Sequence, residues 1–555
     1  MARFFLPLQI LLLLILAAGI GGADAAPAAV RFSPNAVSVD VYDFLEVTLA
    51  VERPDATNPF TEVEVTGEFG RPGSAPLRVD GFCDSPDGRI YQIRFMPAEA
   101  GTHHYSVTFK QGEFVRASSG TFEARPTRGH GRLRVDPAHP FHFVWEGTGE
   151  HYFYNSTTAY WLLGWRDEAI IRESIDRLVK LRINRIRVAL NGRTTGGSRW
   201  KEDTVQPGAN FQFRLEPWPA ARPENVEDPG YDVTRFNVDL FRKCERMLRY
   251  ARERGLAVSL IFYLDGEDKG VDPFGKAGQG GPDEQRYYRY VIARFGCFAN
   301  VLWDVTNEWH LFRDEAWVNQ MGAFVKACDP YQHLTTVHGR GDFPFRKSPW
   351  ADYAEYQSWD EHGGYPFMLR NRREQAATGR PIPQVNEEYG YEDSYPYPWG
   401  EGRRWPARIA DNRRRLAWEM VMAGGYQTTG ERANIAGYGG WINGRGNAAM
   451  TMLRGYAHLR DFFESIPWWT LEPHPELTDT NALCLAEPGR RYVLYFQRGN
   501  AARLRIADGD YQVKWFNPRT GDWRKLKAGP ASQWQSPVAL DAEDWVLLLE
   551  RKRHA

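Results

Sequence analysis

The chain has little with which to cross-link itself. Five cysteines, Cys83, Cys244, Cys297, Cys328 and Cys484, are scattered over 555 residues. With an odd count and no CxxC pair they make neither a disulfide framework nor a cysteine-based metal knuckle. Cys244, Cys297 and Cys328 lie beside apolar residues on segments that read as helices and are expected as buried free thiols. Stability must then come mainly from packing. The net charge is -1, so no excess of one sign points to nucleic acid. There is no HExxH, and the 13 histidines show no metal-ligand spacing; neither metal nor cofactor is expected. Long apolar runs are absent except at the start. Arg3, the run Phe4 to Ile20 and Ala23-Asp24-Ala25 make residues 1–25 read as a removable signal peptide, which implies a secreted or periplasmic protein without stable membrane insertion. An uncleaved N-terminal anchor is the alternative, because the run is near the short end of spanning length.

Aromatic residues are abundant: 20 Trp, 26 Tyr and 31 Phe. They suit sugar-stacking surfaces, and equally large β-rich cores. The length predicts two to four domains. Residues 27–125 hold short alternating runs separated by Pro, Gly and Asp clusters, such as Phe44 to Val51, Ile90 to Phe95 and Tyr105 to Phe109, which predict an N-terminal β-sandwich. Pro126 to Pro137 reads as a linker.

Over 138–466 the rhythm changes to strand and helix in alternation. Strands are expected at Tyr152–Thr157, Ile183–Leu190, Leu256–Leu264, Val301–Val305, Leu334–Val337, Tyr353–Gln357, Ile382–Val385 and Tyr426–Thr429. Helices are expected at Arg166–Leu181, Val238–Arg254, Asp283–Phe298, Asp314–Cys328, Ala407–Ala423 and Leu453–Ile466. Eight strands alternating with helices predict an α/β fold, a (β/α)8 TIM barrel with enlarged loops. A doubly wound open sheet shares the alternation, but no GxGxxG follows the first strand. The insertion Asn191 to Asp232 falls on the catalytic face of such a barrel, and the glycine-rich run Gly275 to Gly281 reads as a flexible rim. Residues 467–555 alternate again and predict a small C-terminal β-sandwich.

In a barrel, side chains at the carboxyl ends of the strands line the active site. Asn307-Glu308 ends the fourth expected strand and Glu388 the seventh, on opposite sides of the mouth. Two facing carboxylates can cleave a glycosidic bond, one as general acid/base and the other as nucleophile; a gap of about 5 to 5.5 Å goes with retention of configuration, and the shorter, retaining gap is expected. Glu308, with the Asn307 amide beside it for the sugar 2-hydroxyl, fits the acid/base, and Glu388 the nucleophile. Glu387 is the reserve nucleophile: Pro383 inside the seventh strand makes its register ambiguous, and period-two alternation sends only one of the pair into the mouth. His338, Tyr356, Gln357 and His362 are candidate sugar contacts, with structural roles as the competing reading for each. Trp309, Trp359 and Trp441 present rings for stacking, against loop packing.

Asn307-Glu308 with a second Glu some eighty residues on is the pattern of the large clan of retaining (β/α)8 glycosidases. Glu388-Tyr-Gly-Tyr-Glu392, Gln357-Ser358 with His362, Gly437-Tyr-Gly-Gly-Trp441, and His458-Leu-Arg-Asp-Phe-Phe before Pro467-Trp-Trp resemble the apiosidase-like glycoside hydrolases. Leu483-Cys-Leu-Ala, Gly489-Arg-Arg-Tyr-Val-Leu-Tyr and Phe516-Asn-Pro-Arg-Thr-Gly are similar to the collagen-binding-type β-domain those proteins carry. The resemblance implies a hydrolase acting on an oligo- or polysaccharide of plant or microbial origin, and for Arg187 the role of holding the nucleophile ionised. A salt bridge facing the helices is the alternative for Arg187. A barrel that has lost activity and binds carbohydrate or matrix is the second functional reading, and a metal-dependent barrel enzyme acting on sugars the third.

Overall fold

The computed structural model describes residues 29–193, 210–225, 227–264, 266, 270–360, 363–393, 408–433, 438–526 and 533–552. The expected signal peptide, His362 and the tip of the Asn191 to Asp232 insertion lie outside them.

The eight expected barrel strands are present and all parallel: β1 (Asn155–Thr158), β2 (Arg185–Ala189), β3 (Ala257–Ile261), β4 (Val301–Asp304), β5 (Thr335–Thr336), β6 (Ala354–Gln357), β7 (Gln384–Glu388) and β8 (Tyr426–Thr429). Their order in the sheet is β5-β4-β3-β2-β1-β8-β7-β6. The seam between β5 and β6 is bridged by Asp352 N donating to Thr335 O at 2.8 Å and Thr336 Oγ1 to Tyr353 O at 2.9 Å. Every residue of β1, β2, β3 and β4 is buried, as expected for strands with side chains inside and helices outside.

Outer helices follow seven of the strands: α1 (Glu168–Lys180), α2 (Val238–Glu253), α3 (Pro282–Phe295), α4 (Glu315–Cys328), α5 (Gly364–Ala377), α6 (Ala410–Met422) and α7 (Met452–Glu464). Three start where a capping side chain turns the chain: Asp167 accepts from Ala169 N, Asn237 from Leu240 N and Asp314 from Trp317 N. Between β5 and β6 the chain runs without a long helix. Helix α5 has no counterpart in the sequence reading, because the face it buries carries Asn371, Arg372 and Gln375 as well as Met368 and Leu369. Its polar groups are satisfied individually, for example by Arg372 Nη1 donating to Gly424 O at 3.0 Å, and they blur the apolar period. The stretch expected as a flexible rim contains a short helix, Gly275–Gly278.

Two of the expectations need correction. Pro383 precedes β7 rather than interrupting it, and its carbonyl accepts from Ala354 N at 2.9 Å, so the ladder loses nothing. The stretch read as a linker contains the strand Leu133–Val135, which pairs with Phe143–Trp145 in a three-stranded sheet. That sheet closes the amino end of the barrel: the Phe143 ring meets Tyr154, Tyr353 and Tyr426 at 5.5, 5.7 and 5.6 Å.

On either side sit β-rich units. The N-terminal one packs a four-stranded against a five-stranded sheet. It docks on α2 and α3 through a buried charge cluster, in which Arg94 meets Glu46 and Glu245 at 2.7 and 2.8 Å and Arg294 meets Asp84 at 2.7 Å. The C-terminal unit has a six-stranded and a two-stranded sheet. It is held to α6 by Arg414 and Asp544 at 2.7 Å and by Trp418 stacked on Tyr495. All five cysteines are free; Cys328 is half-buried and the other four buried.

Candidate active site

The interior of the barrel holds two tiers of charge. In the lower tier, Arg185 and Arg187 project inward from β2 and meet Asp304 of β4, Glu355 of β6 and Glu387 of β7, all five fully buried. Arg185 is paired with Glu387 and reaches Glu355 at 3.2 Å. Arg187 binds Asp304 at 2.8 Å and lies 3.5 Å from Glu387. Burial opposes ionisation of Glu387, yet Arg185 and Arg187 hold its carboxyl at about 2. Glu355 is pushed well above the glutamate range by burial and by the charges of Glu387 and Asp304.

The upper tier is the mouth, and both Glu308 and Glu388 are in it. Strand β4 stops at Asp304, so Glu308 stands four residues beyond the strand rather than at its end. It adopts a left-handed conformation, φ 43° and ψ 49°, immediately before the 3-10 turn Trp309–Leu311. A non-glycine residue held there stores strain, and such positions cluster at functional sites. Trp309 N, donating to His338 O at 3.3 Å, ties the turn to the end of β5.

Glu388 arrives in the mouth by a break in register. Tyr356 pairs with Asn386 but Gln357 with Glu388, so Glu387 is an extra residue in β7. Regular alternation would send Glu388 toward the helices once Glu387 points inward. The bulge re-aims it, and both glutamates occupy the interior at different depths. Both side chains therefore point inward, but only Glu388 is in the mouth; Glu387 lies below it with Arg185.

Glu388 is 6% exposed. Its Oε2 accepts from the Tyr160 hydroxyl at 3.1 Å and is 3.6 Å from His338 Nε2. Burial raises its pKa above 4.5, opposed by hydrogen bonds from Tyr391, Tyr160 and Gln357 and by the charge of Arg187. The Gln357 amide also donates to Glu308 Oε1 at 2.8 Å, so one side chain reaches both carboxylates. Asn307 Nδ2 is 3.5 Å from Glu308 Oε2, and Asn307 Oδ1 accepts from Arg187 Nη2 at 3.2 Å.

Of the residues singled out from sequence, Glu308, Glu388, Asn307, Arg187, His338 and Gln357 come together. Arg187 touches Asp304, Tyr160, Asn307 and Glu387, and acts on Glu388 only through space and through Tyr160. His338 is fully buried, and burial together with Arg187 keeps its imidazole neutral. Trp441 stacks on Tyr391 at 4.2 Å and meets Tyr160 edge-on at 6.0 Å, which makes it a wall of the mouth. Tyr356 is not among them: it points outward, bonded to Gln384 and to Arg346 at 2.9 Å. Trp309 packs on Phe345 in the loop layer, and Trp359 meets Tyr391 edge-on at 6.0 Å.

Tyr160 and Tyr391 escaped the sequence reading. Tyr160 follows the first strand on the mouth side, and Tyr391 sits inside the Glu388-Tyr-Gly-Tyr-Glu392 motif. Their spacing was visible and their convergence was not. Among the described residues no group of three or more His, Cys, Asp or Glu side chains is arranged to hold a metal ion.

Residues 209–435 match the family described as "Apiosidase-like, catalytic domain". The match spans strands β3 to β8, so this part of the barrel is similar to the apiosidase-like catalytic domain. The chain is accordingly an enzyme of the glycoside hydrolase class, flanked by regions that match two further families. Residues 38–110 match a domain of unknown function, DUF5060, and 476–550 match the "Putative collagen-binding domain of a collagenase". No curated protein sequence matches the chain. Among solved structures, a "putative glycoside hydrolase" from Bacteroides vulgatus ATCC 8482 superposes with a TM-score of 0.75 at 19% identity, over 93% of this chain and 100% of that one. A glycoside hydrolase family 5 protein from the same organism gives a TM-score of 0.59 at 16% identity, over 76% and 94%. These likenesses establish that the apiosidase-like barrel and its flanking units share the fold of glycoside hydrolases.

Proposed function

We propose that the chain is an exported, retaining glycoside hydrolase in which Glu388 attacks the anomeric carbon and Glu308 protonates the leaving oxygen, then activates water against the glycosyl-enzyme. The observation that carries this reading is that Gln357, which donates to Glu308 Oε1 at 2.8 Å, is also among the groups that favour the charged form of Glu388, which supports the two carboxylates acting on one substrate. Glu388, bonded to two phenols and facing Arg187, has the surroundings of an anion, whereas Glu308 is more open to solvent and can exchange protons with water. The pairing of Glu387 with Arg185 beneath the mouth argues against it as the attacking group.

The substrate class that fits is a plant or microbial oligo- or polysaccharide. Export rests on the N-terminal residues 1–25; among the described residues no helix is long and apolar enough to cross a membrane. The test is a screen of purified protein against aryl glycosides, apiosides included, and polysaccharides, with Glu308→Ala and Glu388→Ala alongside. Wild-type turnover lost in both variants, with azide restoring Glu388→Ala and giving a glycosyl azide of inverted configuration, is the expected result. Turnover that survives both substitutions ends the assignment.

A further inference from the structure

The Tyr160 hydroxyl stands at the centre of the mouth. Within hydrogen-bonding distance of its oxygen are Arg187 Nη1 at 2.9 Å, the Tyr391 hydroxyl at 3.0 Å, Glu388 Oε2 at 3.1 Å and Asn307 Oδ1 at 3.4 Å. Tyr160 is 4% exposed and Tyr391 1%, so bulk water does not compete for these bonds. A guanidinium only donates, so the phenol oxygen accepts from Arg187. The one phenol proton then goes to a neighbouring acceptor, and an ionised carboxylate is the strongest of these and nearer than the Asn307 carbonyl.

Resting on the reading of Glu388 as the nucleophile, we propose that Tyr160 is a positioning residue that carries the influence of Arg187 to Glu388, with Tyr391 as its partner. Arg187 does not contact Glu388 itself. It is turned toward Asp304 and Asn307, and its remaining nitrogen is 3.5 Å from Glu387. A hydroxyl that accepts from a guanidinium is polarised into a better donor, and a donor aimed at a carboxylate favours its charged form. Tyr160 thereby anchors Glu388 through Oε2 and offsets the burial that favours protonation. Neutral phenols are essential to this, and burial keeps Tyr160 and Tyr391 far above the range in which they lose protons.

The other groups facing Glu388 are Glu308 from the β4 loop, His338 from the end of β5 and Gln357 from β6, with Asp304, Glu355 and Glu387 below. His338 stays neutral across the working range and Gln357 does not titrate. Of the carboxylates, Glu388 is the one that Tyr160 hydrogen-bonds, so an acid-side change on altering Tyr160 is assigned to Glu388.

The experiment is kcat/KM against pH for wild type, Tyr160→Phe, Tyr391→Phe and the double variant, on an aryl glycoside the wild type hydrolyses, with melting temperature as the folding control. Since kcat/KM reports the free enzyme, Tyr160→Phe is expected to move the acidic limb up by about one pH unit and lower kcat by about tenfold. Tyr391→Phe is expected to move the limb less, because that phenol lacks the guanidinium behind it. A folded Tyr160→Phe whose limb stays within about 0.2 unit of wild type overturns the proposal, as does Tyr391→Phe moving it further than Tyr160→Phe. The underlying reading fails separately, by Glu388→Ala remaining active; an inactive, azide-rescued Glu388→Ala beside an unmoved Tyr160→Phe limb refutes the relay alone.

Discussion

Glu387 and Glu388 are adjacent in sequence, both buried, and opposite in character. The first sits on the floor of the barrel, paired with Arg185 and in reach of Arg187, its carboxyl held at about 2. The second sits in the mouth, where no cation touches it and burial pushes its carboxyl above 4.5. One extra residue in β7 separates the two. A glutamate locked to a guanidinium cannot act as a nucleophile without breaking a buried ion pair; one held by hydroxyl and amide donors can. The floor gives the barrel its charge balance, and the mouth keeps a carboxylate poised and accessible.

The comparison breaks first at the mouth. Glu388→Ala is expected to lower kcat by roughly three to five orders of magnitude, with little change in melting temperature, since the residue removed leaves only hydroxyl and amide partners. At the floor, Glu387→Ala is expected to destabilise the protein by about 3–5 kcal/mol by stranding Arg185 in the interior, measurable by denaturant unfolding. Activity loss in that variant should follow the unfolded fraction. Equal stability of Glu387→Ala and Glu388→Ala would erase the distinction between the tiers.

The pH dependences should diverge too. Glu387, depressed from 4.5 to about 2, contributes stability fully present above pH 4.5 and lost as the pH falls through 2. Glu387→Gln should therefore be less stable at pH 7 and flatter in its acid unfolding. Glu388, raised above 4.5, must be ionised to attack, so the acidic limb of kcat/KM is expected above pH 4.5. Gln357→Ala, which removes the donor shared by both carboxylates, should lower kcat/KM about tenfold. The smallest effect is expected from Tyr356→Phe: the hydroxyl lost faces Gln384 and Arg346, so the cost is about 1 kcal/mol of stability with unchanged kinetics.

Most of the barrel was legible because short β-prone segments alternate with helices that carry apolar faces, three of them with caps, as Asp167, Asn237 and Asp314 show. Strand β8 matches its expected limits, Tyr426–Thr429. Helix α5 was not legible because its buried face is largely polar, and the small sheet beginning at Leu133 was hidden in a stretch whose glycines resemble a linker. In the site, the motif residues Asn307, Glu308, Gln357 and Glu388 could be named in advance. Tyr356 could not be placed, since the face of β6 that turns inward depends on pairing with β7. The depth of Glu387 and the meeting of Tyr160 with Tyr391 depend on contacts 202 and 231 residues apart in sequence, and the bulge on pairing between two separate strands, none of which a local period encodes.

The most direct test of the account is the identity of the residue that becomes glycosylated. Incubation with an activated 2-deoxy-2-fluoro glycoside of a sugar the enzyme hydrolyses, followed by peptide mass analysis, is predicted to place one glycosyl ester on Glu388. An ester on Glu387, or on Glu308, would contradict it.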